Sequence, residues 1–398
     1  MSRYAMSAAS KIARQLLSRS LIVLIVALLT ILALEVALRL LYSALPGNLP
    51  YAIRHVRLTP FTETRLVDLP NTPASAYDPF AAWLTKDERY GRRVKPVRDL
   101  PVKLSGSVQF QLTTHAWSEA GMAFRTPPID GQVAAVALGD SMTFCWTPLE
   151  ACWVTLLGQT LGLPIANLGV PGTGSLSHAR VYSDFAQAHQ PKLVLWQFLL
   201  NDHFEDYRDA NALERPKAGL SAWLDENSAV YALLLRTIER LNRSDPTPQT
   251  TDVQIVTERG ITLNIASEWL KGWDESAYAE GRALGMAAIR ETQAAVQQQG
   301  GTFVLIILPT AEEIYREIFE QHASGNPSAG LARLEAARAE MRAFCAEAQL
   351  ICFDAYEALR QGAYAQALIY PDDKHFNAAG NRLLAEAIAA FLRQNGLD

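Results

Sequence analysis

Four short stretches of the chain hold the side chains from which covalent acyl chemistry is built. Gly139-Asp140-Ser141 follows an apolar run, and a serine at a strand-to-helix turn presents its hydroxyl above a sheet, with its own N–H turned to the same space. Gly169 stands just past a second apolar run, where a glycine leaves its backbone N–H accessible to a ligand oxygen. Asn201, after a third run, can offer its side-chain amide to developing negative charge. Near the C-terminus comes Tyr370-Pro-Asp372-Asp373-Lys374-His375. A carboxylate three residues before a histidine on one turn can accept the Nδ1 proton, so Asp372 is the expected orienter and His375 the expected base. Each piece alone has a plain structural explanation: a capping serine, a turn glycine, an Asn-Asp turn, a surface histidine. Together they supply a nucleophile (Ser141), a base, an orienter and three oxyanion donors: the N–H groups of Ser141 and Gly169 and the amide of Asn201. No metal or other cofactor is called for.

These groups need strands that end side by side. From about Tyr90 the chain alternates short apolar runs with helical patterns. The runs are Val133–Leu138, Ile165–Leu168, Leu193–Leu199, Thr302–Leu308 and Leu350–Phe353, and a last amphipathic helix is expected over Asn377–Gln394. The pattern predicts an α/β domain, a doubly wound, flavodoxin-like, five-stranded parallel sheet with helices on both faces and its site at the carboxyl ends of the strands. The connection between the third and fourth strands, about residues 203–300, is too long for an ordinary crossover and reads as an insertion that shapes substrate access. It holds a helix near Leu220–Leu241, a polar linker and a hairpin-like stretch at Val253–Ile265.

In block order and residue type, this stretch resembles the SGNH (GDSL-type) hydrolases. Gly139-Asp140-Ser141 is similar to their first block, Gly169 to the second, Asn201-Asp202 to the third, and Asp372-x-x-His375 to the fifth. The resemblance covers about Val133–Leu392 and implies ester hydrolysis through an acyl-Ser141 intermediate. Leu199 departs from it, standing where the third block has glycine, and Met142 replaces the commoner Leu or Phe. Glu35-x-x-Leu38-Arg39, Gly121-x-x-Phe124-Arg125 and Asn377-x-x-Gly380 are similar to features of the membrane-anchored bacterial members.

The chain has 398 residues, with 36 Lys plus Arg against 41 Asp plus Glu and 49% hydrophobic residues, which excludes a disordered chain and argues against nucleic acid as a partner. The average hides an asymmetry: residues 1–20 contain Arg3, Lys11, Arg14 and Arg19 without an acid, giving +4, so residues 21–398 carry −9. Leu21–Leu34 follows with nothing more polar than Thr30, and Glu35 and Arg39, four apart, can pair while the apolar length extends to Tyr42. The expected organisation is a cytoplasmic basic leader at 1–20, a single uncleaved transmembrane helix at 21–42, a tether at 43–89 whose stretch from 46 to 80 holds six prolines, and a hydrolase domain at 90–398.

Four cysteines remain. Cys145 and Cys152 lie too far apart to bridge if one helix holds both, whereas Cys345 and Cys352 flank a helix-to-strand turn where pairing and free thiols are both open. The cluster Asp202, His203, Glu205, Asp206 and Asp209 reads as a solvated loop edge. Trp153 reads as core, and Trp146 as lining for an acyl or sugar pocket. Taken with the resemblance, these readings predict an esterase of the bacterial inner membrane, its domain in the periplasm, acting on an O-acetylated glycan or a lipid ester. Two alternatives use the same residues differently: an O-acyltransferase serving an envelope polysaccharide acylation machinery, and a non-catalytic glycan-binding protein.

Overall fold

In the computed structural model, the described residues are 2–41, 80, 82–119, 121–129, 131, 133–214, 220–242, 252–256, 260, 262–266, 268–322, 326–363 and 365–397. The chain forms two compact units, one from residues 1–78 with 216–246, the other from 79–215 with 247–398.

In the first unit, the leader and the apolar run form one helix, α1 (Ser2–Leu40). Its stretch Arg19–Leu40 is 22 residues long and none of it is buried, which is long and apolar enough to cross a membrane. At 1.5 Å per residue it measures about 33 Å against a hydrocarbon core of about 30 Å. Among the described residues, two further helices, 220–227 and 229–242, belong to this unit. Tyr42, the end of the expected span, and residues 43–79, most of the expected tether, lie outside the described residues. Its last part is not a tether, because Trp83 is fully buried and β1 (Leu84–Asp87) pairs antiparallel with β2 (Gly91–Val94).

The second unit is built on five parallel strands: β6 (Ala135–Leu138), β7 (Ile165–Asn167), β8 (Leu193–Phe198), β11 (Thr302–Ile307) and β12 (Ile351–Asp354). They lie in the order β12-β11-β8-β6-β7, the doubly wound, flavodoxin-like arrangement that the apolar runs predict. Alternation along each strand divides the core into two. Ala135, Ala137, Leu195 and Ile306 pack under the helices at residues 153–161 and 378–394. Val136, Leu138, Trp196 and Leu305 pack with Val181 and with Ile289 and Val296 of the helix Glu275–Gln298. Ahead of this sheet, β3 (Val97–Lys103), β4 (Gln109–Ala116) and β5 (Ala123–Phe124) form a small antiparallel sheet that the apolar runs did not announce. The long insertion is divided between the units. Residues 201–214 pack along Glu275–Gln298 and a hairpin joins β9 (Asp252–Val256) to β10 (Thr262–Ala266) in the second unit, whereas 216–246 belongs to the first.

Candidate active site

The turn after β6 is held from beneath. Asp140 caps the short helix Ser141–Phe144, its Oδ1 accepting the Met142 N–H at 2.8 Å. Gln197 Oε1 accepts from the Asp140 N–H at 3.2 Å and from Thr143 Oγ1 at 3.0 Å. Position 139 has no room for a side chain: a Cβ there would stand 2.2 Å from Thr143 Oγ1 and 2.4 Å from Gln197 Oε1. At the far end of the helix, Arg125, only 1% exposed, donates through Nη1 to the carbonyls of Phe144 (3.1 Å), Cys145 (2.8 Å) and Thr147 (2.8 Å). One buried cation thus satisfies three carbonyls at and just beyond the end of a four-residue helix. Burial pulls the guanidinium down to about 10, with partial compensation from Glu150 and Tyr370.

His375 stands over this turn, its Nε2 2.8 Å from Ser141 Oγ. Its Nδ1 lies 2.5 Å from Asp373 Oδ1, which also accepts the His375 backbone N–H at 2.8 Å. The expected orienter, Asp372, is therefore not on the imidazole. Its carboxylate accepts from Ser105 Oγ at 2.8 Å, from Ser107 Oγ and from the Ser107 N–H, on the loop between β3 and β4. The reason is backbone period. Histidine was expected on a helical turn, where residues three apart share a face, but it lies on β14 (Asp373–Phe376), paired with β13 (Ile369–Tyr370). On an extended strand, residues two apart share a face. The helix begins only at Ala378, capped by Asn377 Oδ1 on the N–H groups of Ala379 (2.9 Å) and Gly380 (3.0 Å). Burial raises the Asp373 carboxyl, but the His375 hydrogen bond and charge outweigh it and hold the group below the usual carboxylate range. Asp372 is also held low, by Ser107 and Ser105 against burial. Trp146, nearly buried, meets the imidazole edge-on at a centroid distance of 5.2 Å, and its carbonyl accepts from Tyr370 Oη at 2.8 Å.

The expected oxyanion donors stand around the same turn. The backbone at Gly169 runs so close to the helix Ser141–Phe144 that a Cβ would lie 2.4 Å from Phe144 N. Its N–H donates to Asn167 Oδ1 at 3.0 Å, while Asn167 Nδ2 donates to the Thr143 carbonyl at 2.7 Å. Asn201, at the start of the helix Asn201–Glu214, donates through Nδ2 to Asp140 Oδ2 at 2.9 Å. Asp140 thus ties the serine turn to Asn201, although burial raises its pKa against those hydrogen bonds. The acidic cluster beyond Asn201 is not a solvated edge. Asp202, His203 and Asp206 are at most 1% exposed, because their helix packs along Glu275–Gln298. Burial, reinforced by Asp140, Asp206 and Glu205, raises Asp202 well above the usual range, and burial drops His178 and His203 to about 3.

Cys145 and Cys152 form a disulfide with a Cα separation of 5.6 Å, contrary to the one-helix expectation. The helix that starts at Ser141 stops at Phe144, and Cys152 precedes a separate helix, Trp153–Leu161, so the intervening loop brings the two together. Cys345 and Cys352 are also paired, with a Cα separation of 6.2 Å.

A doubly wound parallel sheet whose strand-end loops bring a serine hydroxyl, an imidazole and a carboxylate into one hydrogen-bonded chain is the frame of a serine hydrolase. Residues 137–383, more than half of the chain, match the model of the GDSL-like Lipase/Acylhydrolase family, and the protein belongs to that family. It is an enzyme that hydrolyses ester bonds. Among solved structures, it is similar to LAE5, an alpha/beta hydrolase enzyme from the metagenome of Lake Arreo, Spain, at 15% identity and TM-score 0.37 over 68% of this chain and 98% of that one. A catalytic mutant of an acetylxylan esterase from Geobacillus stearothermophilus is similar at 15% identity and TM-score 0.37, over 68% and 97%. A member of the lipolytic protein G-D-S-L family from Veillonella parvula DSM 2008 is similar at 12% and TM-score 0.35, over 64% and 96%. No curated protein matches the chain.

Proposed function

We propose that the protein is a membrane-anchored esterase of the bacterial envelope that cleaves an acyl ester through an acyl-Ser141 intermediate, with its catalytic domain on the periplasmic side. The observation that carries the chemistry is the continuous chain Ser141 Oγ, His375, Asp373, joined at 2.8 and 2.5 Å. Ser141 Oγ attacks the acyl carbon as His375 Nε2 takes its proton. The tetrahedral oxyanion collapses and Nε2 returns that proton to the leaving alcohol. Water then attacks the acyl-serine, with Nε2 again taking and returning the proton, and the acid departs. Asp373 replaces Asp372 in the reading as the group that fixes the tautomer and stabilises the imidazolium. The oxyanion is received by the N–H groups of Ser141 and Gly169 and by Nδ2 of Asn201, with Gly169 sharing its N–H between Asn167 and the substrate oxygen.

Anchoring and export are supported by the +4 leader ahead of an exposed, 22-residue apolar helix and by two bonded cysteine pairs, which suit an oxidising compartment. Such a location makes an O-acetylated glycan or a lipid ester the expected substrate. The test is labelling of the full-length protein with a serine-reactive fluorophosphonate, followed by hydrolysis of short- and long-chain p-nitrophenyl esters. Ser141→Ala should abolish labelling and lower kcat by about 10⁴-fold or more. Labelling retained in that variant would remove Ser141 from the mechanism.

A further inference from the structure

The helix pair at residues 220–227 and 229–242 has an unusual surface. Leu220 is 73% exposed, Trp223 60%, Leu234 53% and Ile238 43%. Leu220 and Trp223 are three apart on the first helix and Leu234 and Ile238 four apart on the second, so each pair makes an apolar stripe along one side of its helix. In a water-facing protein such side chains are normally scattered singly, and a run of them marks a binding face.

The same pair is fastened to the end of α1. Glu35 Oε1 accepts the Ala229 N–H at 2.9 Å, and its Oε2 accepts from Ser228 Oγ at 2.9 Å and the Val230 N–H at 3.0 Å. Arg39 bonds Glu35 at 2.7 Å and donates to the Asn227 carbonyl at 2.6 Å. The anion therefore sits on the N-terminus of one helix and the cation on the C-terminus of the other, which is where the helix dipoles favour each charge. The Glu-x-x-Leu-Arg sequence at the end of the span is thus a clamp that grips a helix–turn–helix.

Where the clamp lies along α1 decides what the apolar stripe meets. Residues 21–34 are exposed all round, and only Glu35 and residues 37–39 are partly covered. The helix pair touches the last turns of the apolar helix and leaves its length bare. If that bare length is in lipid, the clamped pair is held where acyl chains give way to headgroups, the depth that tryptophan and amphipathic helices favour.

We infer that the helix pair 220–242 lies on the bilayer as an interfacial element, with Leu220, Trp223, Leu234 and Ile238 inserted among the lipid chains and the Glu35–Arg39 clamp setting its depth. This rests on the reading of α1 as a membrane anchor. It makes the middle of the long insertion a second membrane attachment of the catalytic chain, which leaves the second unit near residue 215 and returns near 247.

The experiment places single nitroxide labels on the full-length protein in vesicles of phosphatidylethanolamine and phosphatidylglycerol. The four native cysteines are engaged in disulfides, so an introduced cysteine is the reactive thiol. Labels go at Trp223→Cys, Leu234→Cys and Ile238→Cys, with Leu28→Cys in the span and the 90%-exposed Arg98→Cys as references. Relaxation by oxygen, which partitions into lipid, is compared with relaxation by a water-soluble nickel chelate. The inference expects Leu28 to be oxygen-dominated, Arg98 nickel-dominated, and the three helix-pair labels oxygen-dominated at shallower depth. Adding Glu35→Ala should raise nickel access at position 234 several-fold. Nickel-dominated labels at 223, 234 and 238 beside an oxygen-dominated Leu28 overturn the inference and leave the anchor standing. A nickel-dominated Leu28 overturns the anchor itself. Labels shielded from both reagents overturn the lipid assignment in favour of a protein partner or a second copy.

Discussion

The serine turn and the histidine hairpin meet at one hydrogen bond, but they are held in opposite ways. Around Ser141 the restraining groups, Arg125, Asp140, Thr143, Asn167 and Gln197, are at most 1% exposed. Each bond there forms out of water, so losing one leaves a buried group unpaired. Around His375 the restraints face solvent: the His375 and Asp373 side chains are 26% and 23% exposed, and the Asp372 bonds to Ser105 and Ser107 lie at the surface. The serine turn is held by buried groups, whereas His375 sits on a hairpin stapled to a neighbouring loop. The two aspartates divide the hairpin's needs, Asp373 serving the imidazole and Asp372 the loop.

The sharpest way to break that comparison is to exchange the aspartates. Asp373→Asn should lower kcat by about 10⁴-fold with little change in KM, because an amide leaves the imidazole without its anion. Asp372→Asn should cost less than about tenfold. Steady-state kinetics on both variants decide it, and the reverse order would return the orienting role to Asp372. Next in size is the buried side. Arg125→Met leaves three carbonyls without their donor and should lower unfolding stability by about 3 kcal/mol, read from the urea midpoint. A loss no larger than that of Ser107→Ala would erase the distinction between the two sides.

The smallest effect is on pH dependence. Burial, partly offset by Arg208 and reinforced by Asp209, raises Glu205 to about 7 from an ordinary 4.5. Between those values the folded protein holds a proton that the unfolded chain has released, so this group's contribution to stability falls as pH rises from about 4.5 to 7. Glu205→Gln should remove that decline. The difference in melting temperature between variant and wild type, followed across the window, should grow with pH; a flat difference would mean that Glu205 titrates normally.

Much of the sheet was legible because its inner strands β6, β8 and β11 are buried almost throughout and read as nearly continuous apolar runs between helical patterns. The small antiparallel sheet at 97–124 was not, because its strands alternate polar and apolar residues and include Pro101, a weak signal beside the central runs. Motif and order single out Ser141 and His375, and the structure brings the two within 2.8 Å. Asp373 was hidden by one assumption, that the histidine began a helix. Tyr370-Pro371 ahead of it and Asn377 as a cap behind it are the local signals that an extended segment lies between. The acidic cluster was misread for a related reason: nothing in residues 202–209 tells that a helix some seventy positions later will cover them.

Composition, apolar periodicity and short-range motifs by themselves determined the class of fold and an apolar helix behind a basic leader, and marked Ser141 and His375 as candidates, because each depends on residues close together in the chain. Which aspartate meets the imidazole, which cysteines bond, that Asp202 and Asp206 are buried, and that Glu35 grips residues 228–230 were decided only in three dimensions. Each of those depends on the pairing of segments from 7 to almost 200 residues apart, or on whether a local stretch takes the two-residue period of a strand or the 3.6-residue period of a helix.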